Sequence, residues 1–331
     1  MSTFTFRKGL PIAKIYNTTD KKLRGKVLKL KKEVENNLVG HGYDSYSDSD
    51  SDSDNQNEIY NIISDDFLIK KAKRILKSGE IDEIRSSLYY DKPPRDIKLH
   101  DLYYDAKKLL DLSKGKSISI SGSFQPIPNE DIEREIIYTA GASGSGKSTW
   151  ASKYIQEYNK CYPNNRIIIF SRIDHDKAYD DLYKNGKINQ KPMRIKLDET
   201  LIDDPIELEE LRNSICIFDD IDSMKEKDLQ KEIYRLRSEI LLQGRHFHIT
   251  AIIMNHQIMD FKNTRDILNE SHKIIMFPKS GSSYHIKRCL KEYCGVSEED
   301  IKKIMKLPSR WFMIHRHYPN YIVSEHDAFF L

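Results

Sequence analysis

With 331 residues the chain can bury one substantial α/β core plus an appendage, but at 38% apolar and 32% charged it exceeds the usual charged quarter, so part of it is expected to stay unpacked. No apolar run approaches the ~18 residues of a spanning helix, and "MSTFTFRKGLPIAKIY" lacks the apolar stretch of a secretory signal, so a soluble, intracellular protein is expected. The net charge of +3 conceals blocks: ten Lys/Arg against three Asp/Glu over 1–40, eight acids without a base over 41–69, and ten bases against four acids over 273–317.

Residues 1–40 read as a basic N-terminal arm. Within it, Leu23, Val27, Leu30 and Val34 recur at three- and four-residue spacing and predict a basic amphipathic helix over 20–38. "YDSYSDSDSDSDNQNE" has nothing to bury and repels itself, so 41–65 is expected to be an acidic disordered linker. A helical segment is expected over 66–115, with helices at 66–77 and 97–113 interrupted by "DKPPRD".

From 116 to 331 short apolar strands alternate with helices, the pattern of a mainly parallel sheet covered on both faces. Strands are expected at Glu135 to Thr139, Arg166 to Phe170, Met193 to Leu197, Ser214 to Phe218, Ile249 to Met254 and Lys273 to Phe277. Helices are expected at 147–159, 226–243, 263–269, 283–293 and 297–306, and "RWFMIHR" and "NYIVSEH" read as a C-terminal hairpin. Trp150, Tyr154 and Tyr158 fall on one packed helix face. Cys161, Cys216, Cys289 and Cys294 are too scattered for a disulfide framework, and with His285, His315 and His317 they lack zinc-ligand spacing.

Gly141, Ala142, Ser143, Gly144, Ser145, Gly146, Lys147 and Ser148 match G-x-x-x-x-G-K-[ST], followed by Thr149. Such a loop turns successive backbone N–H groups toward a phosphate chain at a helix N-terminus, whose dipole favours anions. Lys147 would reach the β- and γ-phosphates of ATP, and the Ser148 hydroxyl would bind Mg²⁺. The strand "SICIFDDID" would deliver two carboxylates to the same sheet edge: Asp219 to hold Mg²⁺ through water, and Asp220 to orient an attacking water. "HITAIIMNHQ" is a further buried strand with a polar tip, at which Gln257 or Asn255 would sense the γ-phosphate. Its place decides the class: P-loop kinases set the acidic strand directly beside the loop strand, whereas the hydrolytic additional-strand (ASCE) group inserts a strand between them.

"GASGSGKST", "ICIFDDID" and "LLQGRHFHITAIIMNHQ", in this order and spacing, resemble the poxvirus-type genome-packaging ATPases of large double-stranded DNA viruses, a branch of the HerA/FtsK superfamily. The resemblance covers about 116–331. It implies an α/β P-loop NTPase fold of the ASCE type and an ATP-hydrolysing motor that moves double-stranded DNA into a capsid. It also implies a homo-oligomeric ring, a capsid protein as partner, and a place in the virion or host-cell cytoplasm. Lys147 and Ser148 match its phosphate and Mg²⁺ contacts, Asp219 and Asp220 its acidic pair, and Gln257 its sensor. Arg245 matches an arginine finger for a neighbouring subunit's nucleotide, although capping a helix or pairing with a local acid would explain it equally. Asp220 stands where many members of the wider group have Glu, which shortens the reach of that carboxylate. The bases Lys279, Lys287, Arg288, Lys291, Lys302, Lys303, Lys306, Arg310 and Arg316 would contact DNA phosphates without reading sequence. Two other readings remain open: a nucleotide or small-molecule kinase, and a virion component gated by nucleotide without turnover.

Overall fold

The computed structural model describes residues 2–32, 59, 63–72, 74, 76–260 and 263–331. In chain order the first elements are β1 (Ser2–Thr5), β2 (Leu10–Tyr16), β3 (Val27–Lys32), α1 (Asp65–Ala72), α2 (Ser78–Tyr89), α3 (His100–Ser113), β4 (Ser117–Ser119) and β5 (Ser123–Pro126). Then come β6 (Ile136–Ala140), α4 (Lys147–Cys161), β7 (Arg166–Ser171), α5 (Lys177–Lys184), β8 (Met193–Lys196), α6 (Thr200–Asp203), β9 (Ser214–Asp219), α7 (Lys227–Gln243) and β10 (Ile249–Asn255). The last are α8 (Arg265–Glu270), β11 (Lys273–Met276), α9 (Ser283–Glu292), α10 (Glu298–Met305), β12 (Phe312–His315), β13 (Tyr321–Ser324) and β14 (Asp327–Phe330).

The chain forms two compact units, one of residues 1–5 and 31–118, the other of 6–30 and 119–331. In the first, α1 to α3 close on a core that includes Leu68, Ile84, Leu88, Leu99, Tyr103 and Ala106. The acidic stretch 43–58 lies outside the described residues.

The helix expected over 20–38 is not formed in its described part. Residues 21–25 are a turn, Gly25 has φ +72°, and Val27–Lys32 is strand β3, paired antiparallel with β2. Leu28 and Leu30 alternate with lysines and bury to 0% and 3% exposure. That is a period of two, and it outweighs the three- and four-residue spacing because β2 offers a sheet edge to pair with. β2 in turn pairs with β5, so residues 6–30 belong to the second unit rather than to a free arm.

Nine strands of the second unit form one sheet in the order β14-β13-β12-β11-β6-β10-β9-β7-β8. From β11 to β8 every pairing is parallel, and from β11 to β14 every pairing is antiparallel. Helices flank the sheet. Every residue of β6, β9, β10 and β11 is buried, as required of central strands covered on both faces. This is a P-loop NTPase fold of the additional-strand type, because β10 lies between β6, which leads into 141–148, and β9, which carries Asp219.

One polar cluster is buried at the N-terminal end of these strands. Lys273 Nζ sits 2.5 Å from Glu135 Oε1 and donates to Ile127 O at 2.9 Å, and the Tyr154 hydroxyl donates to Glu135. Lys273 is 2% and Glu135 3% exposed, so neither charge has water to fall back on. Lys273→Met is therefore expected to lower unfolding free energy by about 3–5 kcal/mol, read as a fall in the urea midpoint, since it strands the Glu135 charge.

Candidate active site

The loop 141–148 joins the end of β6 to the start of α4, and its glycines are dictated by geometry. A Cβ at Gly141 would stand 2.7 Å from Ser145 Oγ and 2.9 Å from Phe277 Cδ2. Gly146 has φ +108°, a conformation closed to side-chain-bearing residues. The first-turn amides of α4 have no intrahelical acceptor, so they and the helix dipole face whatever the loop encloses. Trp150, Tyr154 and Tyr158 anchor α4 with 2%, 0% and 2% exposure, so the loop is backed by a rigid helix.

The end of β10 organises both halves of the site. Met254 is level with Thr139 of β6 and with Asp219 of β9. One step further, Asn255 O accepts the Gly141 N–H at 3.1 Å, and Met254 O accepts the Asp220 N–H at 3.1 Å. Asp220 leaves the sheet with φ +53°, an uncommon conformation for a residue other than glycine, which turns its carboxylate back toward the loop. Lys147 Nζ lies 3.3 Å from Asp220 Oδ1 and donates to Gly141 O at 2.9 Å.

Asp219 remains buried at 7% exposure, and its carboxyl is pushed up to about 7 by burial first, then by Asp220 and Asp176. Two crowded carboxylates beside a glycine cradle form a donor set that suits a divalent cation and a triphosphate. Ser145 Oγ, buried and without a partner among the described residues, adds an unclaimed polar atom to the cradle. Ser148 lies one residue into α4 and is half-buried, and the fully buried Tyr179 hydroxyl donates to Met254 Sδ at the end of β10 at 3.7 Å. Ala142 is half-buried, while Ser143, Gly144 and Thr149 are exposed.

His256 and Asp222, for which the sequence pattern predicts no role, also join the site. The His256 N–H donates to Asp222 Oδ2 at 2.7 Å, and its Nδ1 lies 3.0 Å from Asp222 Oδ1. A carboxylate only accepts, so Nδ1 carries the proton and Nε2 faces Asp220 Oδ2 at 3.5 Å. Asp220 thus lies between the Lys147 ammonium and the edge of the His256 ring. Asp220, Asp222 and His256 also offer oxygen and nitrogen atoms within 4.8 Å of one another.

Asn255 turns inward, 3% exposed, and its Nδ2 donates to the Tyr138 hydroxyl at 3.4 Å. Gln257 lies beyond the strand with an exposed side chain, and its backbone O accepts from Tyr138 at 2.8 Å. Arg245 is not brought to the loop of its own chain. It precedes β10, at the opposite sheet edge, about 20 Å away by the ~3.3 Å rise of the seven-residue strand, and its Nε donates to Glu133 Oε2 at 2.9 Å. The helix end that Arg245 was a candidate to cap is capped by Arg134, which donates to the carbonyls of Ile240 and Leu241.

Among the other bases, Arg316 is used internally, donating to Ser271 O at 3.1 Å and Tyr293 O at 3.2 Å. Arg288 pairs with Glu292 and Lys291 with Glu298. Among the described residues no helix is long and apolar enough to cross a membrane.

Protein V3 of Sputnik virophage is 41% identical over 220 residues, spanning 66% of this chain and 85% of the relative. The chain belongs to the V3 family. V3 itself is uncharacterized, and no model of a known protein family matches the chain. Solved structures with a similar fold include the genome packaging NTPase B204 of Sulfolobus turreted icosahedral virus 2 with AMPPCP (15% identity, 58% of this chain, 98% of that one, TM-score 0.39). The conjugation coupling protein TcpA of pCW3 with ATPγS is another (14% identity, 63% and 64% coverage, TM-score 0.41).

If His256 holds Asp220 in place, His256→Ala is expected to lower kcat for ATP hydrolysis roughly tenfold, less than the ~10² of losing an acid–base group outright, with KM for ATP little changed. Steady-state kinetics on His256→Ala and Asp222→Asn check this, and the two variants should match because they break the same pair.

Proposed function

We propose that this V3-family protein is an ATP-hydrolysing motor that translocates double-stranded DNA, as a homo-oligomeric ring that packages a viral genome into a capsid. The observation that carries the hydrolytic part is the placement of β10 between β6 and β9, its end against both the phosphate loop and Asp220. In this reading residues 141 to 149 enclose the phosphate chain of ATP, held by Lys147 and by the loop amides other than those of Gly141 and Ser145, which bond Asn255 O and Ala142 O. Ser148 and Asp219 would hold Mg²⁺, which would supply charge neutralisation at the phosphates. Asp220, fixed by Lys147 and His256, orients the attacking water, and Gln257 senses the γ-phosphate from the exposed end of the β10 connection.

The interposed strand favours water as acceptor over a kinase's small molecule. Turnover itself separates a motor from a nucleotide-gated virion component. Arg245 lies at the far sheet edge in a surface ion pair with Glu133 that is worth little, and in this reading it serves a neighbour's nucleotide rather than its own. The DNA half rests on the motif resemblance and on exposed bases such as Lys279, Lys287, Lys302 and Lys303, which suit sequence-independent phosphate contacts. A capsid-protein partner and a place in the virion or the host-cell cytoplasm complete the reading.

Phosphate release measured with and without double-stranded DNA at several salt concentrations tests it. The expected result is a DNA-stimulated rate that declines steeply with salt and is abolished in Lys147→Ala and Asp219→Ala. A rate indifferent to DNA at every salt concentration would overturn the motor, and activity surviving both substitutions would overturn the site.

A further inference from the structure

The antiparallel extension of the sheet brings one more arginine to the loop. Met276, near the C-terminal end of β11, is level with Ala140 of β6 on one side and with Phe312 of β12 on the other. Since β12 runs against β11, the residues just before Phe312 lie at the edge where β6 gives way to the phosphate loop. Arg310 is among them. A Cβ on Gly146 would stand 3.4 Å from Arg310 Nη2.

The backbone at Arg310 is fixed from both sides. Its N–H donates to Glu325 Oε2 at 2.7 Å, and Ser309, 1% exposed, donates through Oγ to Trp311 O at 2.5 Å and accepts the Glu325 N–H at 3.1 Å. Trp311 is 8% exposed and meets Trp150 edge to face, ring centroids 6.3 Å apart, on the first turn of the helix that follows the loop. The side chain between these anchors is exposed, and its guanidinium makes no hydrogen bond or ion pair among the described residues. A pre-positioned, uncommitted guanidinium beside a phosphate cradle is the arrangement that stabilises charge on a triphosphate.

We infer that Arg310 is a catalytic arginine acting in cis, contacting the phosphate chain of the ATP bound to its own loop and favouring the triphosphate over the diphosphate. The inference rests on the reading of residues 141–148 as a nucleotide site and separates two arginines by place: Arg310 at the loop of its own chain, Arg245 at the opposite edge.

The test compares wild type, Arg310→Ala, Arg310→Lys and Lys147→Ala in the full chain, each confirmed as folded by thermal melting. ATPγS affinity, ADP affinity and ATP turnover are the readouts. Arg310→Ala is expected to lose roughly 10²-fold in turnover and about tenfold in the preference for ATPγS over ADP while binding ADP as wild type does. Arg310→Lys should fall between, because an ammonium keeps the charge but not the fork. Mixing Arg310→Ala with Lys147→Ala subunits should restore nothing, whereas a residue acting in trans would recover part of the rate.

Unchanged turnover and an unchanged ATPγS/ADP preference in Arg310→Ala would overturn the proposal, as would recovery on mixing. A wild type that binds nucleotide without hydrolysing it would defeat the ATPase reading alone, since the binding preference still decides Arg310. A wild type that binds neither nucleotide would overturn both.

Discussion

One constraint governs the site: β10 stands between the strand that delivers the phosphate loop and the strand that delivers the acids. Adjacent strands are ~4.8 Å apart, so the loop and Asp220 start roughly 10 Å from each other, too far for direct contact between backbones. Two features close the gap. The long Lys147 side chain reaches back across the sheet end to Asp220, and the left-handed turn at Asp220 brings the carboxylate toward it. The last carbonyls of β10 accept the N–H groups of Gly141 and Asp220, so one strand end sets the position of both halves. The polar tip there lies beside both halves, and His256 is the member of it that approaches the acid.

The same sheet explains why the loop is rigid. Its parallel half would leave β11 as an exposed edge, and the antiparallel run β12-β13-β14 covers it. Phe277, just after β11, packs against Gly141, while Trp311 before β12 packs against Trp150 of α4. Both sides of the phosphate loop are therefore fixed by residues that belong to the sheet's extension. At the other end of the strands the buried Lys273–Glu135 pair ties β11 to the residue before β6, away from the chemistry.

What was legible in the sequence was what local pattern dictates. The glycine spacing with its lysine, the apolar run ending in Asp219 and Asp220, and the strand and helix alternation through the C-terminal hairpin each depend on neighbours in sequence, and the structure has them in the expected order. Residues 20–38 misled because Leu28 and Leu30 satisfy a strand while Leu23, Val27, Leu30 and Val34 mimic a helix, and only the partner strand β2 decides between them. His256, Asp222, Tyr179 and Arg310 were illegible as site residues for a different reason. Asp222 and His256 meet only because β10 lies beside β9, Tyr179 and Arg310 come to the site from elements distant in sequence, and nothing local distinguishes Arg310 from the other bases around it. Arg316 shows the converse, a base in the same run that is spent on backbone carbonyls.

The proposed function requires that water, oriented by Asp220, be the acceptor of the γ-phosphate. The most direct measurement is turnover of ATP in water enriched in heavy oxygen, with the product phosphate analysed by mass spectrometry alongside a search for any phosphorylated acceptor. Released phosphate is expected to carry an oxygen from water, with no acceptor labelled by γ-phosphate. Transfer of the phosphoryl group intact to another molecule, with no heavy oxygen in the product, would contradict it.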